Sequence, residues 1–543
     1  MPLFSDEERA LAETVSQLQD ANPFLPERLE LERRALGDDF VDTGLVWHRS
    51  EDFTERGRNL EALARRMERL TVAARKRLTN GESASDDELR LYEDLALYHI
   101  YHRYQQQFHD LIERPGAATS RIRFFDDYRD DAHFFLGRKL RGHEGEGLPG
   151  LPHPPSHLFA LSFQIRRAFH YAIRYILGGS LPAAQLRAQV WQSVFSHDMR
   201  RYRRVLYERM DEITTLVTGP SGTGKELVAQ AVGRSRYIPF DDAQGTFVAD
   251  PEDSFYPLNL SALSPTLIES ELFGHVKGSF TGATADRRGW LEICTRHGTV
   301  FLDEIGEVDP SIQVKLLRLL QNRTYQRLGE TLGRTFRGKI VAATNRDLAE
   351  EIRAGRFRQD FYYRLCADQI VTPSLSKQLL DSPGELRNLL ELLAARMVGD
   401  DEAPSLARET QSWIDSGLPP AYTWPGNVRE LEQCVRNVLI RREYHPPGGQ
   451  PIVSPARKLA DDLECVRLTA GQLLARYCTL AYEACGSYSE AGRRLGLDRR
   501  TVRSHVDQAR SERQGEEIRK GDEIRRGTES EPPVLDGRSD PAI

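Results

Sequence analysis

The sequence predicts a multidomain protein: a helical N-terminal region, an α/β phosphate-loop core with a helical lid, and a small all-α helix-turn-helix domain near the C-terminus. Three observations carry this. Apolar residues recur at helical spacing through most of residues 1–190. Short apolar strands then alternate with helical stretches around a glycine-rich loop. Close to the end, two short helical patterns flank a Gly-Leu-Asp turn. The expected segments are 1–190 (helical, regulatory), 191–370 (α/β core), 371–445 (helical lid), 465–511 (helix-turn-helix) and 512–543, a charged tail with few apolar residues that is expected to be disordered.

Bulk properties bound the function. At roughly 150 residues per domain, 543 residues suit three or four domains. The chain is 39% hydrophobic and 29% charged, ordinary for a soluble protein. It has no run of about eighteen apolar residues, and its acidic N-terminus has no apolar signal-peptide core, so neither a membrane span nor a signal peptide is expected. Six scattered cysteines with no CxxC pair suit the cytoplasm. A net charge of -7 gives no global attraction to nucleic acid, so any DNA-binding surface must be local.

In the N-terminal region, residues 54–78 place arginines opposite an apolar stripe, and residues 87–113 are rich in aromatics. The second stretch holds Tyr98, His99, Tyr101, His102, Tyr104, Phe108 and His109, with His99 and His102 one turn apart. A metal or ligand site is one reading; a packed helix with partly exposed histidines is the favoured one. The acidic pocket and lysine of a phosphate-receiving domain are missing. A Gly/Pro-rich stretch at 142–155 reads as a loop, and helical pattern resumes at 157–177 and 183–210.

The core opens with a β-branched run at 213–218. It leads into Gly219-Pro220-Ser221-Gly222-Thr223-Gly224-Lys225, a G-x-x-x-x-G-K loop between a strand and a helix. Glycines let backbone N–H groups turn toward phosphate oxygens. The lysine reaches the β- and γ-phosphates, and the helix N-terminus adds its dipole. The general motif ends in Ser or Thr; here the position is Glu226. Some eighty residues on, an apolar strand ends in Asp303 and Glu304. The first suits a Mg²⁺ ion and the second an attacking water, so nucleotide hydrolysis is the expected chemistry.

From residue 269 the chain reads ESELFGHVKGSFTGA. This closely resembles the signature of the sigma-54-dependent enhancer-binding activators, NtrC-like AAA+ proteins whose loop reads GAFTGA. FLDEIGEV, KLLRLLQ, AATNRDL, FRQDFYYRL and WPGNVRELEQ follow in the family's order, and the resemblance covers roughly residues 195–440. It implies an AAA+ ATPase that uses ATP and Mg²⁺, assembles as a hexameric ring, and acts on sigma-54 RNA polymerase holoenzyme from enhancer DNA.

In that family the phosphate loop commonly ends in Glu, which suits Glu226. Asp303 matches the metal-binding acid, Glu304 the catalytic acid, and Asn259 the partner of the catalytic glutamate. Asn345 matches the residue that senses the γ-phosphate, Arg358 and Arg364 the pair acting on a neighbouring subunit's nucleotide, and Arg429 the second sensor. Gly278-Ser279-Phe280-Thr281-Gly282-Ala283 matches the sigma-contacting loop, with Ser279 where Ala is usual; its glycines serve as hinges and Phe280 is expected to present an apolar face at the tip. Two segments depart from the pattern. One follows the arginine pair (TPSLSKQLLDSPGEL). The other is an acidic stretch before Asn259 (PFDDAQGTFVADPEDSFY), expected to be a surface elaboration.

Residues 488–510 read YSEAGRRLGLDRRTVRSHVDQAR. Ser489 to Leu495 form the first helix and Gly496-Leu497-Asp498 the turn, with Ala491, Leu495, Leu497, Val502 and Val506 as a small core. The pattern resembles the Fis-type helix-turn-helix that usually ends this family's chains. Arg499, Arg500, Thr501, Arg503, Ser504 and His505 are then the groove-facing or phosphate-facing residues. Two other classes fit parts of the sequence: an AAA+ remodeller of other proteins, and an AAA+ DNA-binding regulator that does not act through sigma-54.

Overall fold

The computed structural model describes residues 2–42, 53–137, 153–382, 384–419, 422–446, 459, 462–463 and 468–509. The expected tail at 512–543, most of the 142–155 loop and part of the break before the helix-turn-helix lie outside the described residues. Contacts divide the chain into two units. One comprises 1–404 with 423–435, and the other 405–422 with 436–543. Among the described residues no helix is long and apolar enough to cross a membrane.

The first unit begins with five helices: α1 (Asp6–Asp20), α2 (Glu27–Leu36), α3 (Phe53–Thr79), α4 (Asp86–Glu113) and α5 (Phe125–Leu136). Ser5 and Ser85 start α1 and α4 with reciprocal capping boxes. Helices α6 (Pro155–Tyr175) and α7 (Leu181–Val194) follow, then a single turn, α8 (Met199–Arg201). The expected boundary at residue 190 falls inside α7.

The α/β part has β1 (Thr215–Thr218), α9 (Lys225–Arg234), β2 (Phe240–Asp241), β3 (Thr246–Phe247), β4 (Phe255–Asn259), α10 (Pro265–Phe273), β5 (Gly274–His275), β6 (Arg287–Arg288) and α11 (Trp290–Ile293). Then come β7 (Thr299–Asp303), α12 (Pro310–Asn322), β8 (Thr324–Tyr325), β9 (Arg334–Thr335), β10 (Lys339–Thr344), α13 (Leu348–Arg353), α14 (Gln359–Leu365) and β11 (Asp368–Val371). The central sheet is parallel, in the order β11-β1-β10-β7-β4. The strands that follow β1 in the chain lie on both sides of it, and such a switch in order opens a crevice at the strand C-termini.

Strand alternation serves two cores. Val217, Phe301, Val341, Ala343 and Ile370 face α6, α7 and α9, where they meet Tyr171, Val190, Val228 and Val232. Leu216, Val300, Leu302, Ile340 and Ala342 face the other way, toward Ile268, Leu272, Ile312 and Leu316 of α10 and α12.

The acidic segment before Asn259 is not a surface elaboration. It folds as the β2–β3 hairpin, and Phe240 and Phe247 are buried in the core of the N-terminal helices. Phe247 stacks on Phe163 at 4.4 Å and Phe240 lies 4.3 Å from Phe125. The Ile122 N–H donates to the Gly245 carbonyl at 2.8 Å and the Phe247 N–H to the Ala118 carbonyl at 2.9 Å. Two phenylalanines outweigh the acids around them, because the acids stay partly or fully exposed while the rings are buried.

The departing segment after the arginine pair forms α15 (Leu375–Asp381) and the start of α16 (Glu385–Val398). The Glu385 carboxylate is fully buried and accepts from the Gly179 and Ser180 N–H groups at 2.8 and 3.2 Å. Asp381 accepts from the Leu181 N–H at 2.8 Å. These acids satisfy the open N-terminus of α7. Helices α17 (Ala403–Gly417) and α18 (Asn427–Arg441) complete the lid sequence, whose expected span of 371–445 is shared between the two units. The second unit carries α19 (Ala470–Cys485), α20 (Tyr488–Leu495) and a further helix, α21, at residues 499–509.

Candidate functional site

The phosphate loop joins β1 to α9, and its geometry shows why glycine occurs where it does. Gly219, Gly222 and Gly224 have φ of +146°, +77° and +84°. Space adds a second constraint at two of them. A side chain on Gly219 would strike Thr372, and one on Gly222 would strike the Gly426 carbonyl. Lys225 opens α9, is 8% exposed, and donates to the Gly219 and Pro220 carbonyls at 3.1 Å each. Burial lowers its pKa, while Glu304 and Asp303 oppose that shift. Thr223 donates to the Pro220 carbonyl at 2.8 Å, Ser221 offers its carbonyl to the lid, and Glu226 is exposed in the first turn of α9.

Three residues that were not singled out hold this loop. The Thr372 hydroxyl is 2.6 Å from that of Thr223. Asn427 donates from Nδ2 to the Ser221 carbonyl at 2.9 Å and accepts the Leu375 N–H at the same distance. Gly426 abuts Gly222, and the Arg429 N–H donates to the Gly222 carbonyl at 3.2 Å. The start of α18 therefore sits on the phosphate loop, with the exposed Arg429 side chain beside Lys225 and Asp303. The Pro-Gly-Asn run was a turn signal, but nothing local in it names the loop as its partner.

Asp303 ends β7 in register with Asn259 at the end of β4. Glu304 follows with φ +56°, a left-handed conformation that is costly outside glycine. Burial raises the pKa of both acids. Each is then partly restored: Asp303 by a backbone bond and Lys225, and Glu304 by Lys225 and the Asn345 backbone against repulsion from Asp303. Glu304 Oε2 is buried without a hydrogen bond. A cation between these groups is what their chemistry accommodates.

Asn259 is exposed and accepts from the Ser261 N–H and hydroxyl at 3.0 and 2.8 Å, so it stands beside Asp303 but is bonded to Ser261, not Glu304. Asn345 is exposed just past β10. Arg358 and Arg364 lie at the two ends of α14, whose buried Phe361 and Leu365 pin the helix to the core. Both are exposed, and Arg358 pairs with Asp360 at 2.7 Å. They face solvent, not this chain's phosphate loop.

The loop Gly278 to Ala283 emerges from the β5–β6 hairpin. The Gly278 N–H donates to the Ala283 carbonyl at 2.9 Å, and the two glycines have φ of +81° and +104° with open space around them. Thr281 is exposed. Phe280 departs from expectation: its ring folds back edge-on to His275, 5.0 Å away, and is only half exposed. An unpartnered aromatic recovers apolar burial this way. The Ser279 hydroxyl is buried without a partner.

In the second unit, Cys478, Ala491, Val502 and Val506 form the helix-turn-helix core. Gly496 turns with φ +67°, and Asp498 accepts the Arg500 N–H at 2.8 Å to start α21. Arg499, Arg500, Thr501, Arg503 and Ser504 share the exposed face. His505 is half-buried with its Nδ1 enclosed, so it stands at the edge of that face. In the N-terminal helices His99 and His102 do not converge. His99 packs edge-on to Phe135 at 5.1 Å and His102 lies 4.2 Å from the Tyr98 ring. The histidine–carboxylate cluster among the described residues is instead His109, Glu113 and His170.

Residues 193–371 match the sigma-54 interaction domain. The chain is 39% identical over 298 residues to the transcriptional regulatory protein ZraR of Escherichia coli K12, covering 54% of this chain and 62% of that one. It is 44% identical over 230 residues to the Nif-specific regulatory protein of Azotobacter vinelandii (42% and 40% covered). It is 33% identical over 316 residues to the regulatory protein LuxO of Vibrio parahaemolyticus (55% and 65%). The matched span is thus under two thirds of each relative's length. These findings bear out the resemblance to NtrC-like activators and the AAA+ type of the α/β core.

Proposed function

We propose that this chain is an ATP-hydrolysing transcription activator that binds DNA upstream of a promoter and remodels sigma-54 RNA polymerase holoenzyme. One observation carries the reading: a single core matching the sigma-54 interaction domain holds the phosphate loop, the Asp303–Glu304 pair and the Gly278–Ala283 loop. Similarity to proteins named as transcriptional regulators supports it.

The residues present fit ATP and Mg²⁺. Gly219, Gly222 and Gly224 shape a backbone cradle, Lys225 is positioned for the β- and γ-phosphates, and Asp303 would hold the metal. Mg²⁺ supplies neutralisation of charge on the transferring phosphoryl group. Glu304 orients and polarises the attacking water, Asn345 senses the γ-phosphate, and Asn259 trades its bond to Ser261 for one to Glu304. Arg429 reports nucleotide to the lid. The solvent-facing Arg358 and Arg364 complete the site of a neighbouring copy, an arrangement that calls for a hexameric ring. An arginine supplied in this way accelerates phosphoryl transfer by about 10³–10⁵-fold. Phe280 and Thr281 contact sigma-54, and the arginine-rich face of α21 enters the DNA groove.

The test is a transcription assay from purified components, comparing sigma-54 with the housekeeping sigma factor, with and without hydrolysable ATP. Activation should need both sigma-54 and hydrolysis. Thr281→Ala should abolish promoter opening and keep ATP turnover. Activation of the housekeeping polymerase, or activation without hydrolysis, would overturn the reading.

A further inference from the structure

The N-terminal helices line a partly open cavity of about 360 Å³, within the size range of small-molecule sites. One wall is a stripe of α6: Leu158, Leu161, Ile165 and Phe169, with Arg166 beside them. These positions recur at the spacing of a single helix face. Helix α4 supplies the facing polar groups Tyr98, Tyr101 and His102.

Two polar groups in this wall lack the bonds that burial demands. Tyr98 is 6% exposed, and its buried hydroxyl has Arg28 and Glu32 as charged neighbours but no well-aligned hydrogen bond. The Arg166 Nε is buried without a partner, and no carboxylate of the described residues lies within ion-pair range of its guanidinium, which acts instead on Tyr101. The other arginines of the cavity are already paired: Arg28 donates to Glu32 at 2.8 Å and to the Leu18 carbonyl at 3.0 Å, and Arg203 donates to Glu93 at 2.8 Å. Glu61 is exposed. His102 is pushed down to about 3, chiefly by burial and then by Arg28 and Arg166, so it stays a neutral imidazole. A cation with no carboxylate partner and a hydroxyl with no well-aligned acceptor, beside an apolar wall, ask for an acceptor-bearing, negatively charged head on an apolar body.

We propose that this cavity binds a small organic acid with an apolar ring or chain, its carboxylate held by Arg166 and the Tyr98 hydroxyl, and that α6 passes the occupancy to α9. The opposite face of α6 makes the connection. Arg167 is fully buried and donates to the Arg234 and Arg236 carbonyls at 2.8 and 2.7 Å. Gln164 donates to the Ser235 carbonyl at 3.0 Å. These are the carbonyls at the C-terminal end of α9, the helix that Lys225 begins. Adjacent residues of one helix thus hold the ligand and the far end of the phosphate-loop helix.

The test uses the full chain without nucleotide, so it does not depend on ATP turnover. Trp191 lines the cavity, and its emission, isolated by subtracting that of Trp191→Phe, reports binding. The probes are naphthalene-2-carboxylate and octanoate, against naphthalene-2-carboxamide and octanamide. The acids should bind with Kd below about 1 mM and the amides at least about tenfold more weakly, the loss expected for a charge-assisted bond. Arg166→Gln should remove that preference. Tyr98→Phe, which keeps the ring, should weaken acids and amides alike. Amide hydrogen exchange at residues 225–236 should slow when acid is bound. Equal binding of acids and amides to the native chain, no emission change with any probe, or an unaltered preference in Arg166→Gln would overturn the site. Unchanged exchange at 225–236 would overturn its link to α9.

Discussion

The phosphate loop and the helical cavity hold polar groups by opposite means. The loop is made of backbone: Gly219, Gly222 and Gly224 bend it, Thr372 and Gly426 leave no room for side chains, and Lys225 satisfies its own loop carbonyls. The cavity is made of side chains from helices far apart in the chain, with Tyr98 from α4 and Arg166 from α6 both in its lining. A backbone site tolerates changes to its reactive side chains without losing its shape. A side-chain site has its shape and its chemistry in the same atoms.

The sharpest way to break this comparison is Glu304→Gln. ATP turnover should fall by at least about 100-fold, as for other losses of preorganised catalytic groups, while the thermal midpoint stays within about a degree. A turnover rate like that of the native chain would sink the ATPase assignment. Phe247→Ala probes the opposite limit. It should cost about 3–5 kcal/mol through the cavity it leaves among Phe159, Phe163 and Phe240. A thermal midpoint unchanged in calorimetry would mean that the hairpin is not what ties the helices to the core. Arg167→Leu should cost about 2–4 kcal/mol by leaving the Arg234 and Arg236 carbonyls buried and unpaired. A cost below about 0.5 kcal/mol would make α6 a passive neighbour of α9.

Acid gives the smallest and most regional effect. His157 is 7% exposed, hydrogen-bonded to the Tyr237 hydroxyl at 2.7 Å and the Arg203 carbonyl at 2.9 Å, and pushed down to about 4 by burial. Its ordinary value is 6.5. Between these values the unfolded chain holds a proton that the folded chain does not. Stability is therefore fully present above pH 6.5 and declines as pH falls toward 4, by on the order of 2 kcal/mol. The thermal midpoint should drop by a few degrees from pH 7 to pH 5, and less so in His157→Gln. An equal drop in both proteins would place the acid sensitivity elsewhere.

The same contrast governs what could be read from the chain. Phosphate-loop glycines, the acids ending β7 and the Gly496–Asp498 turn are local signals, and each stands where the spacing predicts. What packs against Gly222 was hidden, because Gly426 and Asn427 lie some 200 residues away and resemble any Pro-Gly turn. The β2–β3 hairpin was misread because its acids dominate the composition while two phenylalanines decide its fate. Phe280 was expected at an exposed tip, but an isolated aromatic finds His275. In α4 the aromatic–histidine run was visible, yet its role depends on α6, which no periodicity connects to it.

Helix α6 is built from two interleaved registers. Leu161, Ile165 and Phe169 line the cavity, while Gln164 and Arg167 bond the end of α9 and Tyr171 packs with the sheet. Exchanging the first set for residues of other shapes would change the shape of the cavity while leaving the grip on the α/β core intact. Chains answering different chemical cues could thus diverge by a handful of codons over about two helical turns, without disturbing the bonds between α6 and α9.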